Sequence, residues 1–189
     1  ESQSVVMLIQ PGSTDARQRL GELPGLRYLE VPYNDTWCRD FGPITLVSAG
    51  RRLAMDFYFN GWGGRHEARL DNRVNTHLAR DTLFSDFEFR QSLFELEGGA
   101  IECDGAGTLL VNRHCLRARH PHLENAEIDH ELKHLLNASR LLEIDIPPMP
   151  GDDTDGHIDT LARFADRATI LFQALADDPR TRRLNGQLE

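Results

Sequence analysis

The chain is 189 residues long, with 40% hydrophobic and 27% charged residues and a formal net charge of −9. That balance describes one soluble domain, or a piece of a larger one, with enough apolar residues for a packed core. Its acidity argues against nucleic acid or an anionic membrane as partner and is compatible with a small cationic substrate.

No apolar stretch approaches membrane-spanning length. The three cysteines, Cys38, Cys103 and Cys115, make no evenly paired framework, which favours a reducing, cytoplasmic setting. The chain opens Glu1-Ser2-Gln3, without an initiator methionine or a signal peptide, as a fragment or processed product would.

Residues 4–9 read as a short buried strand, which Pro11-Gly12-Ser13 breaks. Thr14-Asp15 can cap a helix to about Leu20, and 26–31 reads as a second strand. A polar, aromatic loop over 32–43 follows. Strands at 44–47 and 53–59 then flank Ser48-Ala49-Gly50-Arg51, a hairpin signal. After Asn60-Gly61-Trp62-Gly63-Gly64, the spacing of Val74, Leu78 and Thr82 predicts a helix over 71–83.

The order then recurs. Residues 88–96 read as a strand, Glu97-Gly98-Gly99 as a loop, and 100–103 with 108–111 as a hairpin. A helix over 124–136 buries Ile128, Leu132 and Leu135, and 140–144 is the next strand. An acidic loop leads to a third hairpin, 161–164 with 169–175, and a last helix is expected over 179–188. Each unit therefore runs strand, turn, strand, helix, strand, with a polar loop ahead of each hairpin. Asp40, Glu97 and His157 mark those loops at intervals of 57 and 60 residues. Radial repetition of such units builds propeller-like folds, and equivalent loops then meet at a common axis.

The richest of these loops is Gly151-Asp152-Asp153-Thr154-Asp155-Gly156-His157-Ile158-Asp159-Thr160. His157 and Asp159 are two apart, so an extended backbone points both to one face. The loop fails as a calcium site, because with Gly156 at the sixth position Gly151 and Ala162 occupy the two end ligand positions. A metal held by His157 and Asp159 stays open, as does a plain solvated turn. Asp40, Glu97 and Asp159 gathered at one axis would form an anionic pocket that needs a cation. A guanidinium suits it, being planar, permanently charged and matched to carboxylate forks. Trp37 or Trp62 could pack on such a substrate, although a tryptophan is as readily a core residue.

Four ordered motifs carry a resemblance: 34–43 (NDTWCRDFGP), 59–64 (FNGWGG), Glu97-Gly98-Gly99 and 153–159 (DTDGHID). Together they resemble the agmatine deiminase and bacterial peptidylarginine deiminase family. The resemblance implies the α/β pentein fold, a five-module propeller, and hydrolysis of a guanidino group to a ureido group with release of ammonia. It implies no metal and no organic cofactor. Agmatine is the substrate expected on resemblance, in a polyamine-biosynthesis context; peptidyl- or free-arginine deimination, and a non-catalytic guanidinium-binding module, stay open. The expected partner is a small guanidino cation, without nucleic acid or membrane, and a homo-oligomer stays open. Carried over by residue, Asp40 and Asp159 would grip the guanidinium, His157 would be the acid/base, and Glu97 would support both.

The family's thiol lies in a Gly-rich motif that has no match here, and Arg117-Ala118-Arg119-His120-Pro121 stands where an Asn-rich turn is usual. Residues 1–189 are therefore expected to be one partial domain: an incomplete first module, two middle modules and the start of a fourth. The nucleophile-bearing module would be absent. Cys103 and Cys115 read as small packing residues; Cys38, in the Asp40 loop, is the only serious rival nucleophile.

Overall fold

A computed structural model describes residues 4–172 and, beyond them, only Pro179 and Gly186. The helix expected over 179–188 and the end of the third hairpin, 173–175, thus lie outside the described residues, those two positions apart. Strand β1 (Val5–Ile9), helix α1 (Asp15–Leu20) and strand β2 (Leu26–Glu30) form a parallel β-α-β unit. A single turn of helix, α2 (Cys38–Phe41), leads into the antiparallel hairpin β3 (Ile44–Ser48) and β4 (Arg51–Tyr58). The tight turn α3 (Gly61–Gly64) and helix α4 (Val74–Leu78) then carry the chain to β5 (Phe87–Glu95), which pairs parallel with β4.

The second module repeats the plan. Hairpin β6 (Ile101–Cys103) and β7 (Thr108–Asn112) is followed by helices α5 (Arg113–Arg119) and α6 (Asn125–Leu135) and by β8 (Arg140–Ile144), parallel to β7. A third hairpin, β9 (Ala162–Asp166) and β10 (Thr169–Phe172), ends the described fold. An antiparallel hairpin plus a helical crossover to a parallel neighbour is a compact way to bury both faces of a small sheet.

Three apolar clusters hold the modules together. Met55, Phe57, Ile101, Leu109, Val111, Ile128 and Leu132 form the largest, between the two three-stranded sheets and α6. Val31, Phe41, Phe59, Trp62, Val74 and Leu78 form a second, around α4. Strand β7 shows how neighbours are joined: Leu109 and Val111 enter the first cluster, whereas Leu110, on the opposite face, packs with Ile144, Ile146 and Ile158.

Two expectations about helices need correction. The helix over 71–83 is broken into a 3-10 turn Asp71–Arg73, the short α4, and a second 3-10 turn Thr82–Phe84. Asp81 stops it: its backbone is extended, and its carboxylate accepts the Leu83 N–H at 2.9 Å, offering the backbone an alternative to helix. Val74 and Leu78 are buried as expected, but Thr82 is not. Conversely, α5 stands where the sequence reading assigned no element, between the strand over 108–111 and the helix over 124–136. Asn112 caps it, its side chain accepting from the His114 N–H, and Arg117 and Arg119 suit the C-terminal end of its dipole. Among the described residues, no helix is long and apolar enough to cross a membrane.

Candidate active site

The loops ahead of the three hairpins meet. Asp40 comes from α2, Glu97 and Gly99 from the turn after β5, and His157 and Asp159 from the turn before β9. Asp40 is fully engaged: Oδ1 accepts the Gly99 N–H at 2.9 Å, and Oδ2 accepts the Trp62 indole N–H at 2.9 Å. His157 sits between two carboxylates, with Nδ1 3.6 Å from Asp40 Oδ1 and Nε2 3.9 Å from Glu97 Oε2.

Gly99 makes that approach possible. A β-carbon there would lie 2.5 Å from His157 Nδ1, 2.7 Å from Asp40 Oδ1 and 3.1 Å from Asp159 Oδ2. The same three distances show that all three side chains crowd one spot on the backbone. The sequence-derived set Asp40, Glu97, His157 and Asp159 is thus brought together.

The two tryptophans differ. Trp62 is buried, edge-on to Phe59 at 5.0 Å, and held in a left-handed conformation (φ 55°) that is costly for so bulky a residue. Its visible task is to lock Asp40. Trp37 is 65% exposed and donates no hydrogen bond to the site.

Electrostatics follow from the burial. Burial would lower the pKa of His157, but the Glu97 carboxylate facing it and the charges of Asp40 and Asp159 outweigh it and leave it raised. Burial would raise Glu97, yet His157 and Arg119 hold it low. Asp159 is pushed up, chiefly by burial. The cation that stabilises Glu97 was not anticipated: Arg119 Nε lies 2.6 Å from Oε1, with both side chains 1% exposed. Arg119 Nη1 donates to Asp155 Oδ2 at 2.6 Å and Nη2 to the Thr154 carbonyl at 3.0 Å. Arg65 grips Asp155 from the outer side, at 2.6 Å to Oδ1 and 2.7 Å to Oδ2. Asp155 is accordingly depressed to about 2, first by Arg65.

Asn112 was also missed. Fully buried, it donates through Nδ2 to the carbonyls of Ile146 (2.9 Å) and Gly156 (2.8 Å) and accepts the Ile146 N–H at 3.1 Å. It therefore clamps both ends of the acidic loop just before His157. Gly156 is required there twice over, by its φ of 85° and by the 2.5 Å that would separate an added β-carbon from Asn112 Nδ2.

The three thiols differ in exposure. Cys103 is exposed on its strand rather than packed, a correction to the sequence reading, and Cys38 is exposed beside Asp40. Cys115 is the surprise. It lies on α5 with its sulfur near Glu97 and His157, the three donor atoms all within 4.8 Å of one another. Yet it is completely buried, and burial together with the Glu97 charge pushes its thiol far up, so it is held protonated. That trio offers metal-type ligands, but the Arg119 cation already paired with Glu97 opposes a metal ion there. The cluster fits acid–base chemistry better.

Glu95 gives the site a measurable pH signature. Its Oε1 is buried without a hydrogen-bond partner, 3.7 Å from Arg119 Nε, and burial plus the Glu97 charge push its carboxyl from 4.5 to about 7. A carboxyl raised in the folded state stabilises the fold when protonated, a contribution fully present below the unfolded value of 4.5 and lost as pH rises through about 7. Resistance to urea should fall across that window, and Glu95→Gln should flatten the slope. An unchanged slope in the variant would assign it to other groups.

Hairpin-and-crossover modules whose equivalent loops converge on carboxylates and a histidine define a mixed α/β fold of the pentein kind. The sequence model of the Porphyromonas-type peptidyl-arginine deiminase family matches residues 1–189. A Legionella pneumophila protein that carries the provisional name of agmatine deiminase is 33% identical over 98% of the chain and 54% of its own length. A Cys-to-Ser variant of the C. jejuni agmatine deiminase, solved with substrate bound, superposes with a TM-score of 0.89 at 34% identity. That comparison covers 98% of this chain and 57% of the C. jejuni one. The chain belongs to the Porphyromonas-type peptidyl-arginine deiminase family and spans about half the length of the relatives it matches.

Proposed function

We propose that the chain forms the guanidinium-binding and acid–base half of a guanidino-group deiminase site, with agmatine as the preferred substrate. The convergence of Asp40, Glu97, His157 and Asp159 against Gly99 carries the reading. Asp40 and Asp159 supply the fork for the guanidinium nitrogens, and Trp62 fixes the first of them. Holding the substrate cationic keeps its central carbon electrophilic. His157, raised by its carboxylate neighbours, is placed to give a proton to departing ammonia and to take one from the incoming water. Glu97 orients it. The reaction calls for a thiolate that attacks the guanidinium carbon and is released when water cleaves the intermediate. Cys115, the thiol grouped with His157, is buried and held protonated, so the nucleophile is assigned to a further module. The names of the relatives support agmatine, and the free thiols fit a cytoplasmic setting.

Calorimetric titration tests the reading. Agmatine should bind more tightly than cadaverine, because only a planar fork engages two carboxylates at once. Asp159→Asn removes one bidentate charged contact and should cost about 1.5–3 kcal/mol of that binding. Equal affinity for the two cations would defeat the assignment. Incubated with agmatine, the chain alone should yield no ureido product; turnover abolished by Cys38→Ser would place the nucleophile in α2.

A further inference from the structure

We propose that Arg119 is a charge counterweight that, acting through Glu97, keeps His157 able to release its proton. The inference rests on His157 as the acid/base of the proposed deiminase. Three carboxylates surround the buried imidazole: Asp40 from α2, Glu97 from the turn after β5, and the half-buried Asp159 from its own turn. From α5 it meets only the protonated Cys115 and, behind Glu97, Arg119. Glu95 adds a further carboxyl behind Arg119, and Arg39 and Arg163 act on Asp159.

Each anionic neighbour strengthens the hold on an imidazolium proton. A base that never lets go cannot shuttle, so the cluster needs a fixed positive charge that the substrate does not displace. Arg119 meets that need. It takes Glu97 Oε1 at 2.6 Å and leaves Oε2, which has no hydrogen-bond partner, toward His157. Its own burial is tolerated because Asp155 Oδ2 and the Thr154 carbonyl satisfy the other end of the guanidinium, and Arg65 fixes Asp155 in turn. Arg119 is thus a positioning residue, a resident guanidinium one carboxylate removed from the place of the substrate's.

The test is the imidazole NMR titration of His157 in the 189-residue chain, the signal assigned by its loss in His157→Gln. Arg119→Gln removes a positive charge and should move the midpoint up, on the order of one pH unit. Arg119→Lys keeps the charge and loses the fork; its midpoint should stay near that of the unsubstituted chain. A purely structural role predicts two destabilised variants with unmoved midpoints, and that result, or a downward shift in Arg119→Gln, overturns the proposal. If Arg119→Gln gives no folded spectrum, Asp155→Asn asks the same question with the opposite sign. Asn tolerates the φ of 64° at that position, and the uncompensated Arg119 charge should lower the midpoint; an unmoved midpoint again overturns the proposal. The titration needs neither ligand nor turnover. Shifts as expected without agmatine binding would therefore sink the deiminase reading and leave the counterweight standing.

Discussion

Gly99→Ala is expected to abolish guanidinium binding while the domain stays folded. The added methyl would lie 2.5 Å from His157 Nδ1 and 2.7 Å from Asp40 Oδ1, both shorter than any carbon contact, so the three site side chains must retreat together. Overpacking of this kind costs about 1–3 kcal/mol of stability, which a domain with three apolar clusters can absorb. Binding cannot absorb it. Two charged contacts at about 1.5–3 kcal/mol each are misplaced, so affinity for agmatine should fall on the order of 100-fold or more. Calorimetry and a urea melt on the same sample separate the two effects. Retained affinity in Gly99→Ala would mean that the guanidinium does not sit against Asp40 and Asp159.

The largest loss of stability is expected from Asn112→Ala. The substitution removes a helix cap, worth about 1 kcal/mol, and leaves the Ile146 and Gly156 carbonyls and the Ile146 N–H without partners. Orphaned buried groups cost about 1–3 kcal/mol apiece, so with the cap a total of about 4 kcal/mol or more is expected. Asn112→Asp should do no better, because it keeps the acceptor for Ile146 N–H but turns a carboxylate oxygen toward two carbonyls. Chemical denaturation of both variants measures this. An aspartate variant as stable as the parent would show that the amide's donors are not what holds the loop.

Arg119 and Asn112 also mark the limit of what could be read from the chain itself. Nothing in Arg117-Ala118-Arg119-His120-Pro121 announces a buried cation; those residues read as a departure from the family pattern. Arg119 reaches back 22 residues to Glu97 and forward 36 to Asp155, while Arg65 joins Asp155 across 90. Pairings of that range leave no periodicity behind. Asn112 is similar: an asparagine at the end of a β-run signals a turn or a cap, and it does cap α5, but its clamp on the acidic loop lies 34 and 44 residues away. Cys115 packs in the core as the sequence suggested, but helix α5 that carries it was not legible, since it follows the apolar run of β7 without a break.

The sequence by itself determined the modules and the chemistry at their mouths. Alternating apolar runs broken by Gly-rich turns specify hairpins, and side chains ahead of each hairpin recur at the interval of one module, so Asp40, Glu97, His157 and Asp159 were legible as a group. These are local properties, carried by neighbouring residues. Only the tertiary structure decided how that group is held: a glycine that lets three charged side chains touch one spot, an indole that locks Asp40, an asparagine that ties down the loop, and a buried arginine that offsets the charge. Each of these acts between segments brought together by packing, where the low-dielectric interior makes an unpaired charge or an orphaned hydrogen bond costly. That cost depends on burial, which the order of residues along a chain does not record.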